Sequence, residues 1–344
     1  MKEQKEIKCI VWDLDNTIWD GILLEGDILK LKPGIFDVIE ELDRRGILHS
    51  IASKGNNNDA MNKLKEFKLD DFFLYPEISW NAKSQSIANI QKNLNIGMDT
   101  LMFIDDQPFE RDEVKSKYPE VTCLEAIKYL SLPSHPRLNP KFITKDSAKR
   151  RLMYLENQQR KLDENNFEGP RKEFLASLDI HILISEAKND DLERAEELTV
   201  RTNQLNATGK TYSYDELKIF LGSPNHKLIM CEMNDKYGSY GKIGLALVEI
   251  FNEFFFIKLL LMSCRVMSYG VGTVLLSHIM QQAKKNKKKV RAVFRHTGKN
   301  RVMYVTFKFA GFKELRMDDT GTIILENDLS SIQGFPPYVN VKLV

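Results

Sequence analysis

Cysteine is scarce in this 344-residue chain, and the four present (Cys9, Cys123, Cys231, Cys264) are widely scattered. They form no CxxC pair and no metal-ligand spacing. That excludes a thiolate zinc site and a disulfide framework, and leaves reduced thiols that are individually buried or reactive. No stretch approaches the ~20 apolar residues that cross a bilayer, which excludes a membrane-spanning helix. The opening Met1-Lys2-Glu3-Gln4-Lys5-Glu6 lacks an apolar signal core, so the expectation is a cytoplasmic protein. An excess of one charge is also missing. Fifty basic and 48 acidic residues leave +2, too weak a field to favour nucleic acid or a membrane as partner. What is present, 42% hydrophobic and 28% charged residues, is the composition of a globular protein. The length allows two domains.

The most informative residues are Asp13-Leu14-Asp15-Asn16-Thr17, set between the apolar run Ile10-Val11-Trp12 and the turn Asp20-Gly21. Two carboxylates this close repel, and one would ordinarily take up a proton. A divalent cation removes that penalty. Hard oxygen ligands suit Mg²⁺, which completes its octahedron with phosphate and water. The pattern therefore predicts a Mg²⁺-dependent phosphoryl-transfer site.

Around it, strands and helices alternate. Ile7 to Trp12, Ile47 to Ala52 and Thr100 to Ile104 read as strands; Phe36 to Leu42, Ala60 to Phe67 and Ser84 to Leu94 read as helices. This order predicts a doubly wound parallel sheet, with ligands at the carboxyl ends of its strands. Asp13, Ser53 and Asp105 are each expected just past such an end. The proline-rich stretch Pro133 to Pro140 marks a boundary. The expected domains are 1–140, a helical linker over 141–179 with its helix from Lys145 to Asn165, and a second α+β domain over 180–344. In the second, strands run from Ile180 to Ile184, Lys227 to Met233, Lys242 to Phe251, Phe254 to Met262 and Val290 to Phe294, and terminal strands follow. The second and third of these are expected to join through a loop over Asp235 to Gly241. Helices are expected from Asp190 to Val200, Gly272 to Lys284 and Asn300 to Phe309. The basic run Lys284 to Lys289 reads as a solvated helix end.

Four short motifs occur in order: Asp13-Leu14-Asp15-Asn16-Thr17, Ser53 after an apolar strand, Lys83 in Trp80-Asn81-Ala82-Lys83, and Asp105-Asp106 after Met102-Phe103-Ile104. Together they resemble the haloacid dehalogenase (HAD) superfamily. The resemblance implies that Asp13 attacks phosphorus and becomes an aspartyl-phosphate. Asp15 would act as general acid and then as base. Ser53 and Lys83 would bind phosphoryl oxygens. Mg²⁺ would be held by Asp13, the Asp15 carbonyl, Asp105 and Asp106. Thr17 and Asn16 are expected to brace the loop. The gaps from Thr17 to Ser53 and from Ser53 to Lys83 are too short for a large cap domain, so a bulky or protein-borne substrate could approach.

The resemblance narrows further. Val11 to Gly21, Ala52 to Asn56, Phe103 to Arg111, Glu197 to Asn206, Asp235-Lys236-Tyr237-Gly238 and Leu261 to Met267 look like the FkbH-like family. In that family a HAD-type phosphatase domain is fused to a GNAT-like acyltransferase domain. The family implies a glyceryl transferase and phosphatase of polyketide-type biosynthesis. It takes 1,3-bisphosphoglycerate, removes phosphate and loads D-glycerate as a thioester onto the phosphopantetheine arm of an acyl carrier protein. Cys264, beside Arg265, would then be the nucleophile that captures the acyl group, since a neighbouring cation favours a thiolate. The alternative for this cysteine is a small buried residue at a strand end.

Asn203 and Asn206, at i and i+3, could share a helical face and either orient a glyceryl hydroxyl or cap a turn. His296, after the strand ending at Phe294, is a candidate to activate a thiol; His278 reads as core. Where the family continues G-R-G-V-E, this chain reads Ser268-Tyr269-Gly270-Val271-Gly272, which puts any charge-based role of those positions in doubt. The glycine pair resembles a pyrophosphate-binding acetyltransferase loop. The alternative function is a HAD phosphatase fused to an acyl-CoA-dependent N-acyltransferase.

Overall fold

The computed structural model describes residues 5–344. It divides into two compact units, Met1–Leu155 and Glu156–Val344, a division that falls inside a helix of the expected linker.

The first unit runs β1 (Cys9–Trp12), β2 (Trp19–Asp20), β3 (Lys30–Leu31), α1 (Ile35–Arg44), β4 (Leu48–Ser53), α2 (Asn57–Glu66), β5 (Glu77–Ile78), α3 (Lys83–Leu94), β6 (Leu101–Asp105), α4 (Pro108–Lys117), β7 (Thr122–Glu125) and α5 (Lys145–Ala148). Its main sheet has the order β5-β4-β1-β6-β7, with every pairing parallel. β1 is fully buried, as expected of an apolar strand flanked on both sides. The chain first builds outward from β1 through β4 to β5, then returns to β6 on the other side. β1 and β6 therefore straddle the point where winding reverses, and the crevice at their carboxyl ends is where such sheets take ligands. Helix α1 buries Ile35, Val38, Ile39 and Leu42, one face at i, i+3, i+4 and i+7. It stops at Gly46, whose φ is +76° and where a Cβ would lie 2.7 Å from the Ser147 carbonyl. Such a site admits only glycine.

The second unit follows α6 (Arg150–Asn166), which begins in the first. It comprises α7 (Arg171–Ser177), β8 (Ile180–Glu186), α8 (Leu192–Arg201), α9 (Tyr214–Leu221), β9 (His226–Asp235), β10 (Gly238–Ile250), β11 (Phe254–Met262), α10 (Val271–Lys285), β12 (Lys289–Arg295), α11 (Arg301–Phe309), β13 (Lys313–Met317), β14 (Thr322–Asn327) and β15 (Val339–Leu343). They form an eight-stranded sheet, β13-β14-β12-β11-β10-β9-β8-β15. β8 to β11 are antiparallel neighbours, whereas β11 and β12, joined through α10, run parallel. One core contains Val274, Leu275 and Met280 of α10. A second contains Leu192 and Leu198 of α8 and Leu217 of α9.

Several expectations need correction. Ser53 and Asp105 are the last residues of β4 and β6 rather than the first beyond them. The linker holds α5, α6 and α7 instead of one helix. The loop expected over Asp235 to Gly241 is a tight hairpin, because Gly238 to Gly241 already pair with β9. Asp235 explains the tightness: Oδ1 accepts the Tyr237 and Gly238 N–H groups at 2.9 and 3.3 Å. Its carboxylate also takes Arg160 at 2.6 and 2.9 Å, an ion pair buried on both sides. Gly238 is favoured there, because its φ of +151° is a conformation that L side chains rarely adopt.

Candidate active site

The Asp13–Thr17 turn leaves β1 with the Asp13 N–H still donating to the Ile104 carbonyl at 2.9 Å, so it is tied to β6. Asn16 takes a left-handed conformation, φ +54°, which asparagine tolerates better than most residues. Its side-chain oxygen accepts the Gly21 N–H at 3.1 Å. Buried Thr17 directs its hydroxyl at Asp13 Oδ2, 3.5 Å away. Both residues brace the loop.

Lys83, 3% exposed, brings the motifs together. Its ammonium donates to Asp13 Oδ1 and to the Ala52 carbonyl at 2.7 Å, and lies 3.2 Å from Asp105 Oδ2. Burial pulls its pKa down, but the Asp13 and Asp105 charges outweigh burial and hold the pKa above the usual lysine value. Carboxylate oxygens of Asp13, Asp105 and Asp106 lie within 4.8 Å of one another. Burial and the Asp13 charge push Asp105 up to about 6 and raise Asp106.

Three acidic groups against one ammonium leave excess negative charge. Asp105 Oδ2, fully buried, has the Lys83 ammonium as its ion-pair partner. Hard oxygens and surplus negative charge together fit a divalent cation of the Mg²⁺ type.

Asp15 lies apart from that cluster. Its Oδ1 accepts Trp19 Nε1 at 2.8 Å and the Leu23 N–H at 3.2 Å. Half-burial raises its pKa despite both bonds, the direction that favours a general acid. Asp15 and Ser53 line one small recess, with a volume of about 10 Å³, walled by Leu23, Leu24 and Ile78.

Three supporting residues had no role assigned from sequence. Trp19 fixes Asp15. Arg111 donates to the Asp105 and Asp106 carbonyls at 2.7 and 2.9 Å. Glu113 accepts the Ser84 N–H at 2.9 Å and the Ser84 hydroxyl. Trp19 and Arg111 both stand inside the motif runs, and that placement was their signal. Glu113 has none, because it acts across two helices.

In the second unit, Cys264 opens a short 3₁₀ turn just past β11 and is half-buried. Arg265 Nη2 donates to the Tyr240 carbonyl at 3.0 Å. Asn203 and Asn206 do not share a helical face, because α8 ends at Arg201. Asn206 is fully buried and caps a turn: Oδ1 accepts the Thr208 and Gly209 N–H groups at 3.1 and 2.9 Å, and Nδ2 donates to the Lys210 carbonyl at 3.1 Å. His296 is exposed, and its Nδ1 accepts the Gly298 N–H at 3.3 Å. His278 borders a cavity of about 330 Å³ with Ser185, Glu186 and Lys227.

Among the described residues, no helix is long and apolar enough to cross a membrane. Residues 21–124 match the haloacid dehalogenase-like hydrolase family, a span that begins after Asp13 and Asp15. No curated protein matches the chain. Among solved structures, the N-terminal part of BF1531 from Bacteroides fragilis, which contains a phosphatase domain and is complexed with Mg, is 30% identical over 44% of this chain and 39% of that one, with a TM-score of 0.31. The chain thus spans about two fifths of that structure's length. Ribosomal-protein-S18-alanine N-acetyltransferase from Escherichia coli is 14% identical over 44% of this chain and 96% of that one, TM-score 0.34. PaiA N-acetyltransferase from Thermoplasma acidophilum, in complex with coenzyme A, is 16% identical over 42% and 98%, TM-score 0.35. The chain thus carries a doubly wound parallel unit, within which residues 21–124 are similar to haloacid dehalogenase-like hydrolases, followed by an α+β unit.

Proposed function

We propose that the first unit is a Mg²⁺-dependent phosphohydrolase and that it serves acyl transfer by the second. The observation that carries this reading is the convergence of Asp13, Asp105 and Asp106 within 4.8 Å around buried Lys83, at the winding reversal of a parallel sheet. Asp13 attacks phosphorus while Asp15 gives its proton to the departing oxygen. Asp15 then takes a proton from the water that attacks the aspartyl-phosphate, and phosphate leaves. Lys83 and Ser53 bind the phosphoryl oxygens as charge builds on them. Asp13, Asp105, Asp106 and the Asp15 carbonyl would hold Mg²⁺, which would neutralise phosphoryl charge.

For the whole chain we propose the FkbH-like activity. The Cys264 thiolate attacks the acyl carbon of 1,3-bisphosphoglycerate and expels phosphate, giving a 3-phosphoglyceryl thioester. The first unit hydrolyses the remaining phosphate ester. The phosphopantetheine thiol of an acyl carrier protein collects D-glycerate by thioester exchange, which returns the Cys264 thiol. The motif runs through both units support this reading, as does the place of Cys264 at the end of β11. Arg265, committed to the Tyr240 carbonyl, positions the turn that carries the cysteine.

The test is to incubate the chain with 1,3-bisphosphoglycerate, Mg²⁺ and a holo carrier protein, and to weigh both proteins. A glyceryl adduct on the carrier, lost with Cys264→Ala, is expected. Equal loading by Cys264→Ala contradicts the cysteine's role. Acetyl-CoA turnover on an amine without any glyceryl adduct contradicts the whole assignment.

A further inference from the structure

β11 and β12 pair in parallel only from Phe254 with Lys289 to Ile257 with Ala292. Beyond that they part, although each keeps its outer neighbour: β11 stays on β10 to Met262, and β12 stays on β14 to Arg295. Two parallel strands that diverge leave facing backbone donors and acceptors unpaired. Such a gap takes an extended, amide-bearing ligand by strand addition. Left empty, it would hold unsatisfied buried groups.

The gap is filled from within. Met262 N–H donates to the Leu205 carbonyl and Ala207 N–H to the Leu260 carbonyl, both at 3.0 Å, an antiparallel bridge centred on Asn206 and Leu261. On the other side Arg295 N–H donates to the Ala207 carbonyl at 3.0 Å. Leu205 to Ala207 is thus a short strand seated between β11 and β12, and all three residues are buried. Asn300, fully buried, locks it in place. Its Nδ2 donates to the Asn206, Ala207 and Arg295 carbonyls at 2.9, 3.3 and 2.9 Å, while Oδ1 accepts the Thr297 N–H at 3.0 Å. The Asn206 side chain closes the following turn. One side-chain amide therefore ties the inserted strand to the end of β12, and β11 holds its other edge.

We infer that the Leu205–Ala207 segment is a specificity element. It occupies the β11–β12 gap, so that the gap is closed to an extended amide ligand, a pantetheine arm included, whether that arm belongs to a free coenzyme or to a carrier protein. The segment ends its contact at Met262, two residues before Cys264. Acyl donor and carrier-borne thiol alike must then reach that end of β11 without threading between the strands. This inference rests on backbone pairing alone and stands whether or not Cys264 carries an acyl group.

The test uses the full chain with coenzyme A as probe, read by amide hydrogen exchange and by titration calorimetry. In the parent, the Ala207, Met262 and Arg295 amides exchange slowly, and coenzyme A neither binds measurably nor alters them. In Asn300→Ala, and in the same-sized Asn300→Asp should the first fail to fold, the Ala207 and Arg295 amides exchange at least tenfold faster and coenzyme A binding becomes measurable by calorimetry. Binding of coenzyme A to the parent overturns the inference. So does freeing of these amides in a variant with no gain in binding.

Discussion

Glu113 of α4 accepts the backbone N–H of Ser84 at 2.9 Å together with its hydroxyl, so the helix that begins with Lys83 is capped by its neighbour. Ala82, at the cap position itself, supplies no side-chain acceptor. An anionic group at a helix start satisfies a free donor and complements the dipole. Glu113→Ala should cost about 1 kcal/mol of stability in urea titration. It should lower phosphatase kcat by ~10-fold to ~100-fold, because Lys83 loses its fixed origin. Glu113→Gln, which keeps an acceptor, should recover most of the kcat.

Metal dependence has a sign that can be worked out. Asp13, Asp105 and Asp106 repel one another around a single ammonium. Without metal, Asp106→Asn relieves repulsion and should leave stability equal to or above that of the parent. With Mg²⁺ at a hundred times its dissociation constant, the parent should gain about 2.7 kcal/mol, and the variant far less. Thermal unfolding with and without Mg²⁺ reads both. An equal gain in parent and variant contradicts the assigned ligands.

His49 predicts a pH dependence. It is fully buried in β4, its Nδ1 accepts Trp12 Nε1 at 3.0 Å, and burial pushes its pKa down to about 3. The unfolded chain binds this proton near pH ~6.5, the folded chain only near 3. The stability conferred by the neutral ring is therefore complete above pH ~6.5 and is lost as pH falls toward 3, by about 1.4 kcal/mol per unit. Between pH 7 and 5 the parent should lose about 2 kcal/mol more than His49→Gln, which keeps an acceptor and does not titrate. Urea titrations at the two pH values decide it, and parallel losses would show that His49 is not the group responsible.

The parallel sheet was legible from its apolar strands, and the candidate residues Asp13, Ser53 and Asp105 were legible because each sits at or just past a strand end, which is local in sequence. Asp13, Ser53 and Asp105 could be placed together from the winding rule, whereas Lys83, the first residue of α3, was placed by its motif resemblance. The Asn203–Asn206 run was legible as a motif but not as a shape. Its spacing fits a helix, whereas it bends at Asn203 and only its end, Leu205 and Asn206, enters the strand inserted between β11 and β12, a pairing set by tertiary hydrogen bonds to residues more than fifty positions away. The Asp235 hairpin misled for a related reason: glycines at 238 and 241 resemble a loop, yet they belong to a strand that admits the Glu156 carboxylate at close range. Glu113 acts across two helices, where periodicity gives no signal.

The central claim is that Asp13 becomes phosphorylated. An aspartyl-phosphate is an acyl phosphate, which borohydride reduces, leaving homoserine in place of aspartate. The full chain should be mixed with a phosphomonoester and Mg²⁺, quenched during turnover with borohydride, digested and sequenced by mass spectrometry. Homoserine at position 13 is expected, absent without Mg²⁺ and absent in Asp13→Asn, which should also release no phosphate. Phosphate released at the parental rate by Asp13→Asn, with no homoserine at position 13 in the parent, would contradict the account.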